Sequence, residues 1–563
     1  MAEGTATIVA APLSWSPSSF WDGNDGLWNT FLVDVGTPPQ QFRVLPSTAG
    51  QETWLPNPQG CTTANPDDPG YCGYLRGALP FNGANSSGFF NNESSSWDLI
   101  GLYTLDAQEA ELGYTGNGLY GFDTVALNGT TTPFSENKSV VAGVADLDYW
   151  LGVFGLGPKA INFTTFNDPI PNYMRTLVDN NTIPSLSWGY TAGAFYRDQA
   201  PASLILGGFD ATRISGANLT IEMNGDNSRP LQVAITKIFG ENTLGGAGID
   251  LLPAATYHFI DSTLPHIWLP DDAIQLFVDN FGLTYDNDTD LFLINDTMRE
   301  LMLSNNPTVT FVLGTSKSAA QNETLNIALP YAAFDLQASY PFYQNATNYF
   351  PIRRAANSSQ YTIGRTFLQE AYLTADWDRN NFTVAQASFS NLDTQHIVAI
   401  DKYVAPPEST STVPASKPPK PSDGISGGAI AGIVVAAIVG IALVGLGIWF
   451  MMRRNRKHQP LPTSDHENPD TAIPMGAYSD DKKDASNVRG SELPSEHALV
   501  EAPGNEKRPS ELASPYMPAL EMEGDAGKAR ARSGMVEMPA STDRNDGVRY
   551  ELHGSEPGND LRT

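Results

Sequence analysis

The sequence predicts an all-β, two-lobed domain over roughly the first 400 residues, then one membrane-spanning helix and a disordered tail. Three observations carry this expectation. A segment near the start returns in the second half. From Leu27 to about Ser203, short apolar runs are broken by Gly, Asn and Pro every 8–12 residues, an all-β signal. A charge-free stretch, 425–452, is followed at once by Arg453-Arg454-Asn455-Arg456-Lys457.

The repeat is Pro46-Ser47-Thr48-Ala49-Gly50-Gln51-Glu52-Thr53-Trp54-Leu55-Pro56 and Asp261-Ser262-Thr263-Leu264-Pro265-His266-Ile267-Trp268-Leu269-Pro270, 214 positions later. In each, a short polar residue is followed by Thr or Ser, and Trp-Leu-Pro begins seven positions on. Two such copies suggest two lobes facing each other, one polar group from each at the meeting point. Val35-Gly36-Thr37-Pro38-Pro39-Gln40 precedes the first copy. Gly152-Val153-Phe154-Gly155-Leu156-Gly157 and Thr362-Ile363-Gly364-Arg365-Thr366-Phe367-Leu368 stand in corresponding places of the two halves.

Together these motifs resemble the pepsin-like aspartic proteases, peptidase A1 type, over roughly residues 28–398. The resemblance implies a bilobal β fold with a first lobe over 28–207 and a second over 208–400, after an N-terminal segment of 1–27. It implies that Gly152 to Gly157 and Thr362 to Leu368 cross behind the two sites, and that Leu204 to Asp210 closes the first lobe. Tyr114, after a shortened hairpin, would stand near the family's flap tyrosine; the plainer reading is a hairpin aromatic. Cys61 and Cys72, the only cysteines, would form a small loop disulfide after the first motif. Asp271 to Val278 reads as a helix whose acidic start suits the helix dipole.

The departure lies at the chemistry. The first catalytic carboxylate position is Ser47, with Ala49 where the family keeps Gly; Asp261 is retained, but Thr263 replaces the second Gly. Aspartic proteases need two close carboxylates sharing one proton, one acting as base on water and the other as acid. A serine hydroxyl is not a base at acid or neutral pH. The expected geometry is a Ser47 hydroxyl donating to the Asp261 carboxylate. Arg365 is either a surface charge or a partner of Asp261.

Charge excludes other classes. The chain is 563 residues long with a net charge of −29, and residues 1–452 hold 18 Lys and Arg against 42 Asp and Glu. That argues against nucleic acid or an anionic surface as partner. The seven histidines are scattered and no Gly-rich phosphate loop with a Lys occurs, so neither metal nor cofactor is expected. No basic residue precedes Arg43; Thr7 to Leu13 is a poor secretion signal, and a basic pro-segment is not expected.

Topology is read from sequons. Asn-x-Ser/Thr occurs at Asn85, Asn92, Asn128, Asn137, Asn162, Asn180, Asn218, Asn287, Asn295, Asn322, Asn345, Asn357 and Asn381, all before the apolar stretch. With the positive-inside rule, this places the N-terminal domain outside and the tail in the cytoplasm, at the plasma membrane or another secretory-pathway membrane. Residues 401–424 form a Pro/Ser/Thr-rich stalk. Residues 425–452 are long enough to cross a core of ~30 Å. Residues 453–563 form a polar tail of disordered composition. Gly428, Gly432, Ala436 and Gly440 make a small-residue face that would pair two spans, or is ordinary membrane-helix content.

Two functions compete. One is a catalytically degenerate, type I single-pass surface protein that binds an extended peptide or glycan in its cleft, or senses it through the tail. The other is an active membrane-anchored aspartic endopeptidase using Asp261 with a second carboxylate the motifs do not reveal. Sequons and acidity point to a fungal surface protein. The topology predicts that glycosidase shifts the full-length chain and a truncation before Ile425 alike, on a denaturing gel. Glycans on the tail would contradict it.

Overall fold

The computed structural model describes residues 10–105, 108–163 and 167–404. The expected stalk beyond 404, span at 425–452 and tail lie outside them. Among the described residues no helix is long and apolar enough to cross a membrane.

The architecture is mostly β, as expected, and both lobes use one construction. In the first lobe, Gln40–Ser47 runs to the first site and pairs in parallel with Gly152–Gly155, Gly155 opposite Ser47. Gly152–Gly155 then pairs antiparallel with Thr53–Pro56. In the second lobe, Thr256–Ile260 pairs in parallel with Thr362–Ile363, which pairs antiparallel with Ile267–Leu269. Each site loop is therefore held between a strand entering it and a strand crossing behind. Close approach explains the glycines. A Cβ on Gly155 would lie 2.6 Å from the Gln51 backbone, and one on Gly364 would lie 2.3 Å from the Leu264 carbonyl oxygen. Only glycine lets the crossing strand pass so near the loop.

A six-stranded sheet underlies both lobes. It takes Leu13–Trp15, Ser203–Leu206 and Ser187–Thr191 from the first half and Ala371–Asp376, Asn381–Ala387 and Ile214–Glu222 from the second. Leu13–Trp15 lies within the stretch read as an N-terminal segment, yet it pairs with Ser203–Leu206 and buries Trp15. Apolar side chains from both halves form one continuous core, including Phe31, Val44, Phe154, Trp188, Ile260, Ile267 and Leu373.

The acidic-start helix exists and runs Asp271–Phe281, three residues further than the sequence suggested. Ala273, Ile274, Phe277 and Phe281 make its buried face, and Gly282 ends it in the left-handed conformation at φ +64°. The stretch between the cysteines is not simply a loop. Pro58–Ala64 and Pro69–Leu75 are helices, capped by Asn57 and Asp68 side chains accepting N–H groups of Gln59 and Tyr71. Cys61 and Cys72, one on each helix, are buried and joined in a disulfide, as the resemblance implied.

All thirteen sequon asparagines lie on the surface, exposed or half-exposed. The disulfide closes a separation of 11 residues. Its loss, by Cys61→Ser with Cys72→Ser, should cost about 3 kcal/mol in the chain-entropy account. Denaturant melts of both forms measure this; an unchanged midpoint would contradict it.

Candidate functional site

The two lobes meet at a reciprocal pair of side chains, one position after each site residue. Thr48 N–H donates to Ser262 Oγ at 2.9 Å, and Ser262 N–H donates to Thr48 Oγ1 at 3.0 Å. Each hydroxyl then donates onward across the interface, Thr48 to the Ile260 carbonyl at 3.2 Å and Ser262 to the Pro46 carbonyl at 2.6 Å. These buried bonds satisfy both hydroxyls and fix the loops in register. Ser47 and Asp261 are thereby brought together, each 1% exposed.

They do not bond as the sequence suggested. Thr263 stands between them. Ser47 Oγ lies 2.7 Å from Thr263 Oγ1 and accepts the Gly50 N–H at 2.7 Å. The Thr263 N–H donates to Asp261 Oδ1 at 2.9 Å, and the nearby Thr263 hydroxyl favours the ionised carboxylate. Thr263 thus stands between the Ser47 hydroxyl and the Asp261 carboxylate, in contact with both residues.

Arg365 does not pair with Asp261. Its Nη1 donates to the Ser262 carbonyl at 3.0 Å and to the Thr263 carbonyl, and its Nη2 pairs with Asp25 at 3.3 Å. The guanidinium lies 4.8 Å from the Trp28 ring centre. It braces the Asp261 loop from behind, and its charge favours the ionised form of Asp261.

The second carboxyl comes from an unexpected place. Asp98–Thr104 and Asn117–Asn128 form a hairpin over the cleft, and its tip carries a 3₁₀ turn at Gln108–Leu112. From this turn Glu109, 2% exposed, is brought beside Asp261 and Thr263, near enough for its charge to be coupled to that of Asp261. Asp261 Oδ2 receives no N–H or hydroxyl donor among the described residues. Two carboxyls can hydrogen-bond only through a proton. Burial first, and then the Asp261 charge, hold the Glu109 carboxyl well above its ordinary range. Burial also raises Asp261, opposed by Thr263, by Glu109 and by Arg365. Of the two, Glu109 is the more strongly pushed toward its neutral form. The sequence carried only a faint sign of it, an acidic run of Asp106, Glu109 and Glu111 in a hairpin tip.

The tip is held down on both lobes. Gln360 Nε2 donates to the Glu111 carbonyl at 2.6 Å. Leu105, Leu112 and Tyr114 are buried with Trp54, Tyr149, Leu264 and Trp268. Tyr114 therefore lies in the hairpin tip, its ring 6.3 Å from that of Tyr149 and its hydroxyl without a hydrogen-bond partner among the described residues. Beside the closed tip a cleft of about 770 Å³ stays open, lined by both lobes.

Two β lobes sharing a core, each offering one polar residue to a central cleft under a hairpin, define the bilobal acid-protease class of fold. The comparisons agree. Residues 30–387 match the family described as eukaryotic aspartyl protease, and the chain belongs to it. It is similar to Candidapepsin-3 of Candida albicans, 23% identical over 363 residues covering 64% of this chain and 79% of that protein. It is 22% identical to Candidapepsin-1 of the same species, over 64% of this chain and 81% of that one. Secreted aspartic protease 9 of Candida albicans is 23% identical over 332 residues, 56% of this chain and 54% of that protein.

The preference of Glu109 for its neutral form beside Asp261 makes closure pH-dependent. A carboxyl whose pKa is raised in the closed state stabilises that state fully below its ordinary range and loses the effect as pH climbs through the raised value. Burial and the Asp261 charge disfavour the Glu109 charge. Amide exchange across 108–116 should therefore be slow in acid and quicken toward neutral pH. Glu109→Gln, which cannot ionise, should flatten that dependence. Equal pH profiles for the two proteins would refute the latch.

Proposed function

We propose that this chain is a cell-surface, single-pass membrane protein whose pepsin-like domain binds an extended peptide without hydrolysing it. The observation that carries the reading is the Glu109 carboxyl seated against Asp261. A second buried carboxyl beside Asp261 crowds the place a water nucleophile would need, while Ser47 supplies a hydroxyl in place of the second carboxylate. The Ser47 oxygen is committed to Gly50 N–H and Thr263. The surface placement of all thirteen sequon asparagines supports an outside domain, and the charge-free stretch 425–452 followed by five mostly basic residues supports an anchor. The small-residue face Gly428, Gly432, Ala436 and Gly440 would pair two such spans.

A second reading rests on the same glutamate. Glu109 and Asp261 form a carboxyl pair sharing a proton, the electronic arrangement that acid hydrolysis of a peptide bond requires. If the hairpin lifted enough to admit water between them, Asp261 would take the water proton and Glu109 would protonate the leaving nitrogen.

The test is an assay of the full-length chain with internally quenched peptides across pH 3–7. The binding reading expects no cleavage by wild type, Glu109→Gln or Asp261→Asn. Ser47→Asp alone should stay inactive, because the Thr263 hydroxyl stands 2.7 Å from the position of the Ser47 oxygen and a ~1 Å misplacement costs on the order of 100-fold in rate. Ser47→Asp combined with Ala49→Gly, Thr263→Gly and Glu109→Ala should gain acid-dependent cleavage. Cleavage by wild type, lost in both Glu109→Gln and Asp261→Asn, would establish the second reading instead.

A further inference from the structure

Five arginines are buried among the described residues: Arg43, Arg76, Arg213, Arg353 and Arg365. Four make hydrogen bonds or ion pairs within the fold, although Arg43 Nε, Arg76 Nη1, Arg213 Nε and Arg365 Nε are each left without a partner. Arg43 pairs with Asp22 at 3.1 Å. Arg76 donates to the carbonyls of Trp150, Asp146 and Tyr149 at 2.9–3.1 Å. Arg213 donates to the Pro201 carbonyl at 2.6 Å, and Arg365 is held by Asp25 and two carbonyls. Arg353 differs. It is 8% exposed, yet among the described residues its guanidinium makes neither a hydrogen bond nor an ion pair within 4.0 Å. Its Nη groups are not sealed in the fold, so a cation without an internal partner is left to take one from the cleft.

The fold aims Arg353 at the open part of the cleft. It sits in Ile352–Arg354, paired in parallel with Ile267–Leu269 so that Arg353 lies opposite Trp268. Its guanidinium is 5.7 Å from the Trp268 ring centre. Both line the cleft of about 770 Å³, with Tyr114, Gln360 and Arg354. Trp268 Nε1 is a second buried donor with no partner. Arg354 is already engaged by Asp271 at 2.7 Å. Acidic side chains also line the cleft: Asp290 accepts from Tyr285, and Asp148 feels the Arg353 charge from beyond ion-pair distance. An unpaired planar fork stacked on an indole, beside an unused N–H donor, is the donor set that a carboxylate fits.

We propose that Arg353 and Trp268 form a carboxylate-recognition pocket in the cleft, which takes an acidic side chain or the C-terminal carboxylate of a bound peptide. This rests on reading the cleft as a peptide groove, and holds whether or not the groove hydrolyses what it binds. It makes the groove selective for acidic peptides although the outer domain is itself acidic. The pairing of one buried cation with one carboxylate overrides the long-range repulsion, which salt screens.

The test uses the full-length chain and N-acetylated octapeptides of Ala, Val and Phe, each carrying Glu, Gln or Lys at one position in turn. One arm has amidated C-termini, and another leaves the parent sequence with a free carboxylate. Binding is followed by fluorescence anisotropy and integrity by mass spectrometry. At one position Glu should bind at least tenfold tighter than Gln, or the free terminus at least tenfold tighter than its amide; which arm shows the effect identifies the source. Arg353→Met should reduce that ratio to below twofold, and Arg353→Lys should retain part of it, since the charge remains without the fork. Equal binding of Glu, Gln and amidated peptides by wild type overturns the pocket without needing any variant. So does failure of every peptide to bind, or a ratio that survives Arg353→Met. Cleaved peptides would overturn the non-hydrolytic reading alone, and the same ratio would then be taken from kcat/KM.

Discussion

The exchange between Thr48 and Ser262 is the constraint on which the site depends. Two buried hydroxyls, each accepting the other loop's N–H and donating to a carbonyl across the interface, satisfy one another and both N–H groups. A slip of either loop would orphan four partners at once, at 1–3 kcal/mol for each buried group left unmade. Ser47 and Asp261 precede these residues directly, so their closeness follows from the exchange rather than from attraction between them. A site that has lost one carboxylate can therefore keep its frame.

Within that frame, Asp261 lacks its usual partner carboxylate. The Thr263 N–H bonds one of its oxygens and leaves the other without a donor among the described residues. Glu109 is buried beside it, and burial with the Asp261 charge favours the neutral glutamic acid there. The Gln360 contact with the hairpin tip and the apolar cluster around Tyr114 hold it there. The same closure divides the cleft, leaving the space beside Arg353 and Trp268 as the part still open to a ligand. A crowded centre beside an open flank is the arrangement on which the proposal of binding without turnover rests.

Much of the fold was legible because it is repeated. The Trp-Leu-Pro segments rest on their own repetition and the helix after Pro270 on a dipole-matched start, whereas the crossing strands with Gly155 and Gly364 and the Cys61–Cys72 bond were implied by the family resemblance. The lobe frame was legible too, since Ser47-Thr48 and Asp261-Ser262 align by sequence. Leu13–Trp15 was not, because three residues carry no periodicity and their place is decided by the distant partner Ser203–Leu206.

By itself the sequence determined that this is a two-lobed β protein of the aspartyl protease family, that one of two site positions holds an alcohol, and that glycines are missing at residues 49 and 263. These are statements about residue identity at positions that spacing defines. Tertiary structure alone decided what surrounds Asp261. Thr263 intervenes instead of Ser47 touching the carboxylate. Arg365 turns to Asp25. Glu109, 152 positions before Asp261 and in a hairpin tip of irregular backbone, becomes its neighbour. The physical reason is burial. A carboxyl in a loop reads as a solvated charge until the hairpin folds over the cleft, excludes water from it, and leaves the proton as the means by which the two acids coexist.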